Sequence, residues 1–230
     1  MRLRITFSKT GSLRYTGHLD LQTVWERTAR RAALSLSYTH GFHPGPRIQI
    51  ASALPLGYAG ISEIVDIWLD TDPGEPAEVQ KRLQAGAPPG LTVLQVKAVD
   101  EHGPALQTQV ASAEYIVTLL EPVSDLAPRL ADVLAAAALP RERRSKPYDL
   151  RPLIEALSLF PAASPNGFGR IFMRLAARDG ATGRPEEVLG VLGIPLEATR
   201  IERTQLILKN GIELVDTNAS TSSFALPKSE

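Results

Sequence analysis

Three of the four histidines fall within one short stretch near the start of the chain: His18, His40 and His43. His18 precedes Asp20 by two residues, at the start of a run with helical spacing. An imidazole beside the free N–H groups of a helix start can act as a general base or hold a phosphate. The same pair also suits plain capping, with Asp20 complementing the helix dipole and His18 bonding loop backbone. His40 and His43 belong to the loop His40-Gly41-Phe42-His43-Pro44-Gly45-Pro46-Arg47. Two imidazoles with no carboxylate or cysteine beside them make a poor ligand set, so no metal site is expected. Phe42 can stack on a base of single-stranded RNA or plug the sheet from above. Pro44 and Pro46 fix φ, and Gly41 permits a positive φ, so the loop holds its shape at low entropic cost.

Arginines surround these groups. Arg27, Arg30 and Arg31 share one helix face at i, i+3 and i+4. With Lys9, Arg14 and Arg47 they can form one basic surface for phosphates. The alternative is a solvated face on which Glu26 and Arg30 form an i,i+4 pair. A second run, residues 141–146, holds Arg143, Arg144 and Lys146, with Arg151 following. It is either a solvated turn or the second wall of an RNA groove. The candidate catalytic residues are His18, Asp20 and His43, which would make the protein a metal-independent endoribonuclease whose arginines stabilise developing charge.

Composition narrows the classes. The chain has 230 residues, 43% of them apolar and 22% charged, enough for a sizeable core in one large or two small domains. It has no cysteine, which excludes disulfides, thiolate metal sites, cysteine nucleophiles and an iron–sulfur cluster held by this chain. The first residues alternate like a strand rather than forming a signal peptide, and no apolar run reaches the roughly 18 residues of a membrane span. A cytoplasmic location with no membrane contact is expected. Net charge is zero, yet residues 1–60 carry eight basic residues against Asp20 and Glu26. That +6, balanced by −6 in the remainder, suits an RNA or an acidic protein face.

The elements that must position these residues follow from periodicity. Residues 2–8 alternate as a strand, and 19–34 place Leu21, Val24, Trp25, Thr28, Ala29 and Ala32 on one helical stripe. Strands are expected at 48–52, 61–69 and 91–99, with a helix over 76–85. The order β-α-β-β-α-β is the ferredoxin-like pattern of an antiparallel sheet with two helices on one face. Residues 100–110 look like a linker. A second round follows: a strand at 113–120, a helix at 126–139, a strand or turn at 141–146 and an extra helix at 148–159. A strand at 169–177, a helix at 186–192 and a strand at 200–208 complete it. The expected class is therefore α+β, with two tandem ferredoxin-like units, 1–100 and 111–210, a cleft between their sheets, and a polar tail over 211–230. Trp25, Trp68, Ile64 and Val65 are expected in the core.

Several short motifs occur in order: Lys9-x-Gly11-x-x-Arg14, His18-Leu19-Asp20-Leu21, Arg27-x-x-Arg30-Arg31-Ala32, Gly41-Phe42-x-Pro44-x-Pro46-Arg47, Pro55-Leu56-Gly57 and Glu63. Pro89-Gly90-Leu91, Lys146 with Asp149-Leu150-Arg151-Pro152-Leu153-Ile154, and Arg184-Pro185 with Val188-Leu189 follow. Together they resemble the radical-SAM-linked protein family, a domain of unknown function fused to, or encoded beside, a radical SAM protein. The resemblance covers about residues 2–195. The chain departs from the family's usual pattern at Gly17, where Ser is usual, at His43, where Asn is usual, and at Gly45, where Arg is usual. The resemblance implies an accessory role in RNA or ribosome metabolism. It implies a radical SAM protein as partner, and that partner would carry the iron–sulfur cluster and S-adenosylmethionine, with no cofactor in this chain. A non-catalytic RNA- or ribosome-binding protein is thus the leading expectation, beside the endoribonuclease and a plain protein-interaction module.

Overall fold

A computed structural model of the chain describes residues 1–160 and 167–209. In chain order the strands and helices are β1 (Arg2–Lys9), α1 (His18–Arg31), β2 (Ile48–Ile50), β3 (Ala59–Trp68), α2 (Pro76–Gly86), β4 (Leu91–Val99), α3 (Leu106–Gln109) and β5 (Val110–Leu119). Then come α4 (Leu126–Ala135), β6 (Pro140–Arg143), β7 (Lys146–Asp149), β8 (Ile154–Leu159), β9 (Arg170–Arg178), β10 (Ala181–Thr182), α5 (Pro185–Leu192) and β11 (Thr199–Leu208). The tail expected over 211–230 lies outside the described residues.

The class is α+β with a mostly antiparallel sheet. Nine strands form one sheet in the order β10-β9-β5-β11-β3-β1-β4, with β2 added to β3 and β8 to β9. The expectation of two sheets flanking a cleft is therefore corrected. Near Ala59 and Gly60, β3 pairs in parallel with Glu202 and Arg203 of β11, while β2 takes the 65–67 end of the same strand. Backbone hydrogen bonding thus runs unbroken across both halves of the chain.

There are two apolar cores, one within the first half and one centred on the second that also takes in Ala51, Leu54, Tyr58 and Ile64. Leu3, Ile5 and Phe7 alternate inward from β1 and meet Val65 and Ile67 of β3. Leu21, Trp25 and Ala29 of α1 and Val79 and Leu83 of α2 close over them. Phe7 and Trp25 meet edge to face, with centroids 4.9 Å apart. In the second half Val117, Ile171, Met173, Leu175 and Ile201 pack under Leu130, Val133, Val188 and Leu189. Trp25, Trp68, Ile64 and Val65 are all buried, as expected.

Two element expectations fail, each for a local reason. The helix expected over 148–159 is instead the end of β7, a 3-10 turn at Arg151–Leu153, and β8. Leu150, Leu153, Ile154 and Leu157 have helical spacing, but a register shift between Ile154 and Ala156 lets Ile154 and Leu157 both face inward from a strand. The stretch 100–110 is no slack linker. Gly103 and Pro104 accept hydrogen bonds from Arg2, Glu101 accepts one from the Trp68 indole, and Leu106 is fully buried.

Candidate nucleic-acid interface

The basic residues of the first third divide into a buried set on β1 and a more exposed set beyond it. Arg2 and Arg4 are buried and both bind Asp66 of β3; Arg4 Nε lies 2.9 Å from Oδ1 and Nη2 2.8 Å from Oδ2. Lys9 is 1% exposed, and its ammonium donates to the Thr16 carbonyl at 2.7 Å. Burial lowers its pKa, partly offset by the Glu63 carboxylate. Lys9 is thereby corrected as a phosphate contact, and three of the eight early cations are internal. The available signal was Glu63 and Asp66, two carboxylates inside the largely apolar run 61–69.

Arg27, Arg30 and Arg31 lie on the exposed side of the last turns of α1. The Arg27 side chain makes no hydrogen bond or ion pair among the described residues. Arg30 binds Glu26 at 2.8 Å and the Tyr38 hydroxyl at 2.6 Å, so the i,i+4 pair is present. Arg31 reaches the Gly86 carbonyl at 3.4 Å, at the end of α2.

Tyr38 leads into the loop, which is the tip of a pinned hairpin. The Arg47 N–H donates to the Ser37 carbonyl and the Thr39 N–H to the Gly45 carbonyl, both at 2.8 Å. The Gly45 N–H donates to the Thr39 hydroxyl at 3.1 Å. Its base is fixed to the end of β3, because the Ser37 N–H donates to the Trp68 carbonyl and the Trp68 N–H to that of Arg47. Gly41 has φ 139° with open space around it, and Pro44 and Pro46 flank Gly45. Phe42 at the tip is fully exposed, with His40 and His43 exposed on either side. Arg47 is exposed and stacks over the Trp68 ring at 4.8 Å.

The structure does not bring the catalytic candidates together. His18 opens α1, whereas His43 lies beyond the Trp68 end of β3. Fourteen helical residues at about 1.5 Å each separate His18 from Arg31 by roughly 20 Å. Neither imidazole bonds another side chain among the described residues, and Asp20 is exposed in the first turn of α1. Among the described residues no three His, Cys, Asp or Glu side chains are grouped as ligands for a metal ion.

Arg14 lies at the His18 end of the molecule. Its Nη2 donates to the Tyr15 hydroxyl at 2.8 Å, and the Gly57 N–H donates to its carbonyl at 3.0 Å. The second basic run forms the β6–β7 hairpin, turned by Arg144 and Ser145 with φ of 52° and 59°. Arg144 and Lys146 are exposed there. Arg143 is half-buried and bidentate to Glu187 of α5 at 3.2 and 2.7 Å, and it also reaches the Thr182 carbonyl. Its pKa is raised: burial opposes the charge, and Glu187 more than compensates. Arg143 is thus corrected to a structural tie between the hairpin and α5. Arg151 caps the end of α4 through the Leu134 carbonyl.

Sequence reasoning missed one residue of consequence, Arg203. It is 1% exposed on β11 and bidentate to Glu63 of β3, with Nε 2.7 Å from Oε1. Its remaining N–H groups donate to the Ser52 hydroxyl and the Ser52 and Ala53 carbonyls. Burial works against the charge, and the Glu63 carboxylate raises its pKa regardless. Beside it, burial also raises the pKa of Tyr115, and of Tyr58, whose hydroxyl donates to Glu186 of α5 at 3.0 Å.

No helix among the described residues is long and apolar enough to cross a membrane. No curated protein matches the sequence. Among solved structures, the chain is similar to one in an H/ACA RNP bound to a substrate RNA containing 2′-deoxyuridine, at TM-score 0.44 and 10% identity, covering 89% of this chain and 47% of that one. It is similar at TM-score 0.43 and 11% identity, with the same coverage, to a chain of the archaeal box H/ACA sRNP Nop10–Cbf5 complex. A Cbf5–Nop10–Gar1 complex gives TM-score 0.44 and 10% identity, with 48% of that chain covered. The chain spans about half the length of the solved chains it matches. One family model matches residues 2–185, described as uncharacterized protein conserved in bacteria (DUF2344), and the chain belongs to that family.

Proposed function

We propose that this protein is a non-catalytic RNA-binding subunit that presents an RNA or ribosomal substrate to a radical SAM partner in the cytoplasm. The observation that carries the reading is Phe42, fully exposed at the tip of a hairpin whose base is fixed by backbone hydrogen bonds. Holding an aromatic ring in water forgoes roughly 1.5–3 kcal/mol of burial, which a base stacked on it recovers. Exposed Arg27, Arg31 and Arg47 lie on α1 and at the hairpin base without carboxylate partners among the described residues. They supply phosphate contacts that the ring alone lacks.

The strand orders favour the tandem layout with units at 1–100 and 111–210. In the first, β4-β1-β3-β2 runs fourth-first-third-second, and in the second β11-β5-β9-β8 does the same. The radical SAM partner, with its iron–sulfur cluster and S-adenosylmethionine, rests on the motif resemblance alone. The wide separation of His18 and His43 weighs against the endoribonuclease, since no single phosphodiester reaches both.

Fluorescence anisotropy with labelled tRNA and rRNA fragments tests the reading. Three exposed arginines without carboxylate partners predict a log–log salt slope near −2 on single strands. Phe42→Ala is expected to weaken binding about tenfold, within the roughly 1–3 kcal/mol of one stacked base. Absence of salt-sensitive binding rejects the RNA role. If Phe42→Ala instead releases a co-purifying radical SAM protein, the hairpin is a protein-interaction module.

A further inference from the structure

A second site lies at the opposite end of the molecule, where the two halves meet. A cavity of about 260 Å³ is walled on one side by Arg14, Tyr15 and Leu56 and on the other by Leu120, Leu196 and Arg200. Its size falls just below the usual range for small-molecule sites, about 300–1,000 Å³, and leaves room for one compact ligand.

The lining has two kinds of unmet demand. Arg14 Nε is buried without a hydrogen-bond partner, although its guanidinium stacks 4.8 Å over the Tyr15 ring. Arg200 is exposed, and its side chain makes no hydrogen bond or ion pair among the described residues. Two guanidiniums thus share a concave site with no carboxylate partner, an arrangement that favours a phosphate taken through forked N–H groups. The rest of the wall mixes Thr199 and the tyrosines with apolar side chains that are open to water: Tyr15 is 61% exposed, Leu56 64% and Leu196 45%. That combination fits a ligand with an anionic end and a flat, weakly polar body.

The site is also fixed in shape. The Gly57 N–H holds the Arg14 carbonyl, and Arg200 is held in β11 opposite Thr118 of β5. Arg14 belongs to the first half and Arg200 to the second, so a ligand here bridges the two.

We propose that this pocket binds a 5′-phosphorylated nucleoside, with the phosphate between Arg14 and Arg200 and the base against Tyr15 and the leucines. The nucleotide is either free or the first residue of an RNA strand. The site is separate from the Phe42 hairpin and does not depend on RNA binding there.

Calorimetric titration of the full-length protein with adenosine monophosphate, uridine monophosphate, adenosine and inorganic phosphate tests the proposal. Both monophosphates are expected to bind at least about tenfold more tightly than adenosine or inorganic phosphate alone. Arg200→Glu, at an exposed residue without partners, is expected to remove the preference for the phosphorylated nucleoside, and Arg14→Gln to reduce it. Two RNAs differing only in a 5′-phosphate or 5′-hydroxyl then separate the sources. A gain from the 5′-phosphate that Arg200→Glu abolishes identifies the strand terminus, and binding of monophosphates without such a gain identifies the free nucleotide. Equal affinity for adenosine and its monophosphate overturns the proposal. So does inorganic phosphate binding as tightly as the monophosphates, or unchanged binding in Arg200→Glu. RNA binding that stays sensitive to Phe42→Ala while monophosphates fail to bind would overturn this site alone.

Discussion

Replacing Glu63 with glutamine removes the negative charge that lets Arg203 exist in the interior. Both side chains are about 2% exposed, so water cannot take over the role of the carboxylate. Removing one partner of a buried pair costs about 3–5 kcal/mol, because the other charge is left uncompensated. Two local features act in opposite directions. Arg203 keeps its hydrogen bonds to Ser52 and Ala53, which softens the loss. Lys9, a second buried cation under the influence of both Glu63 and Arg203, loses its attraction and keeps its repulsion. The expected cost is therefore near the middle of the range, about 4 kcal/mol, or a fall in Tm of about 8–16 °C for a domain of this size. Urea unfolding followed by far-UV circular dichroism gives the midpoint and slope together, and a shifted midpoint at constant slope isolates stability. The double variant Glu63→Leu with Arg203→Met is expected to recover most of the loss, since apolar packing replaces both desolvated charges. An unchanged midpoint in Glu63→Gln would refute the reasoning, as would a double variant less stable than the single.

Gly90→Ala is expected to destabilise by more than about 2 kcal/mol in the same assay, combining φ of +89° with a Cβ placed 2.5 Å from the Thr10 carbonyl oxygen. Arg144→Asn with Ser145→Gly is expected to raise the unfolding midpoint slightly, by up to about 1 kcal/mol, because both turn residues have positive φ and this pair suits such a turn. The Asp149 carboxylate accepts from the backbone N–H groups of Leu139 and Arg151, which hold its pKa below the usual aspartate range. Its contribution is present above the unfolded pKa, about 3.9, and is lost as pH falls through the lower folded value. Carbon-13 titration of the Asp149 carboxyl should show that low midpoint, and a midpoint at or above 3.9 would contradict it.

Much of the fold was legible because strands and helices here bury faces of regular period. Leu3, Ile5 and Phe7 and the stripe Leu21, Trp25, Thr28 and Ala29 mark β1 and α1 without ambiguity. The span 148–159 was not legible, since a register irregularity lets a strand carry helical spacing. The basic surface was half legible. A charge count does not separate Arg2, Arg4 and Lys9 from the exposed cations, and the pairing of β1 with β3 brings Asp66 and Glu63 to them. Arg203 was missed because its partner lies 140 residues away, a separation that local patterns do not encode. The Arg14–Arg200 pocket was hidden for the same reason.

The junction of β3 with β11 also sets an order of events during synthesis. The Ala59–Gly60 end of β3 has no neighbour on that side until Thr199–Leu208 has been made. At about 5–20 residues per second, some 140 residues take about 7–28 s to emerge. For that interval the nascent first half presents an open strand edge, the feature by which chains pair wrongly with one another. Glu63, three residues along, then has its eventual partner still unmade. An inward-pointing acidic side chain on an unpaired edge is a feature that deters foreign strands, so the residue that later clamps Arg203 is also suited to guard the unfinished chain.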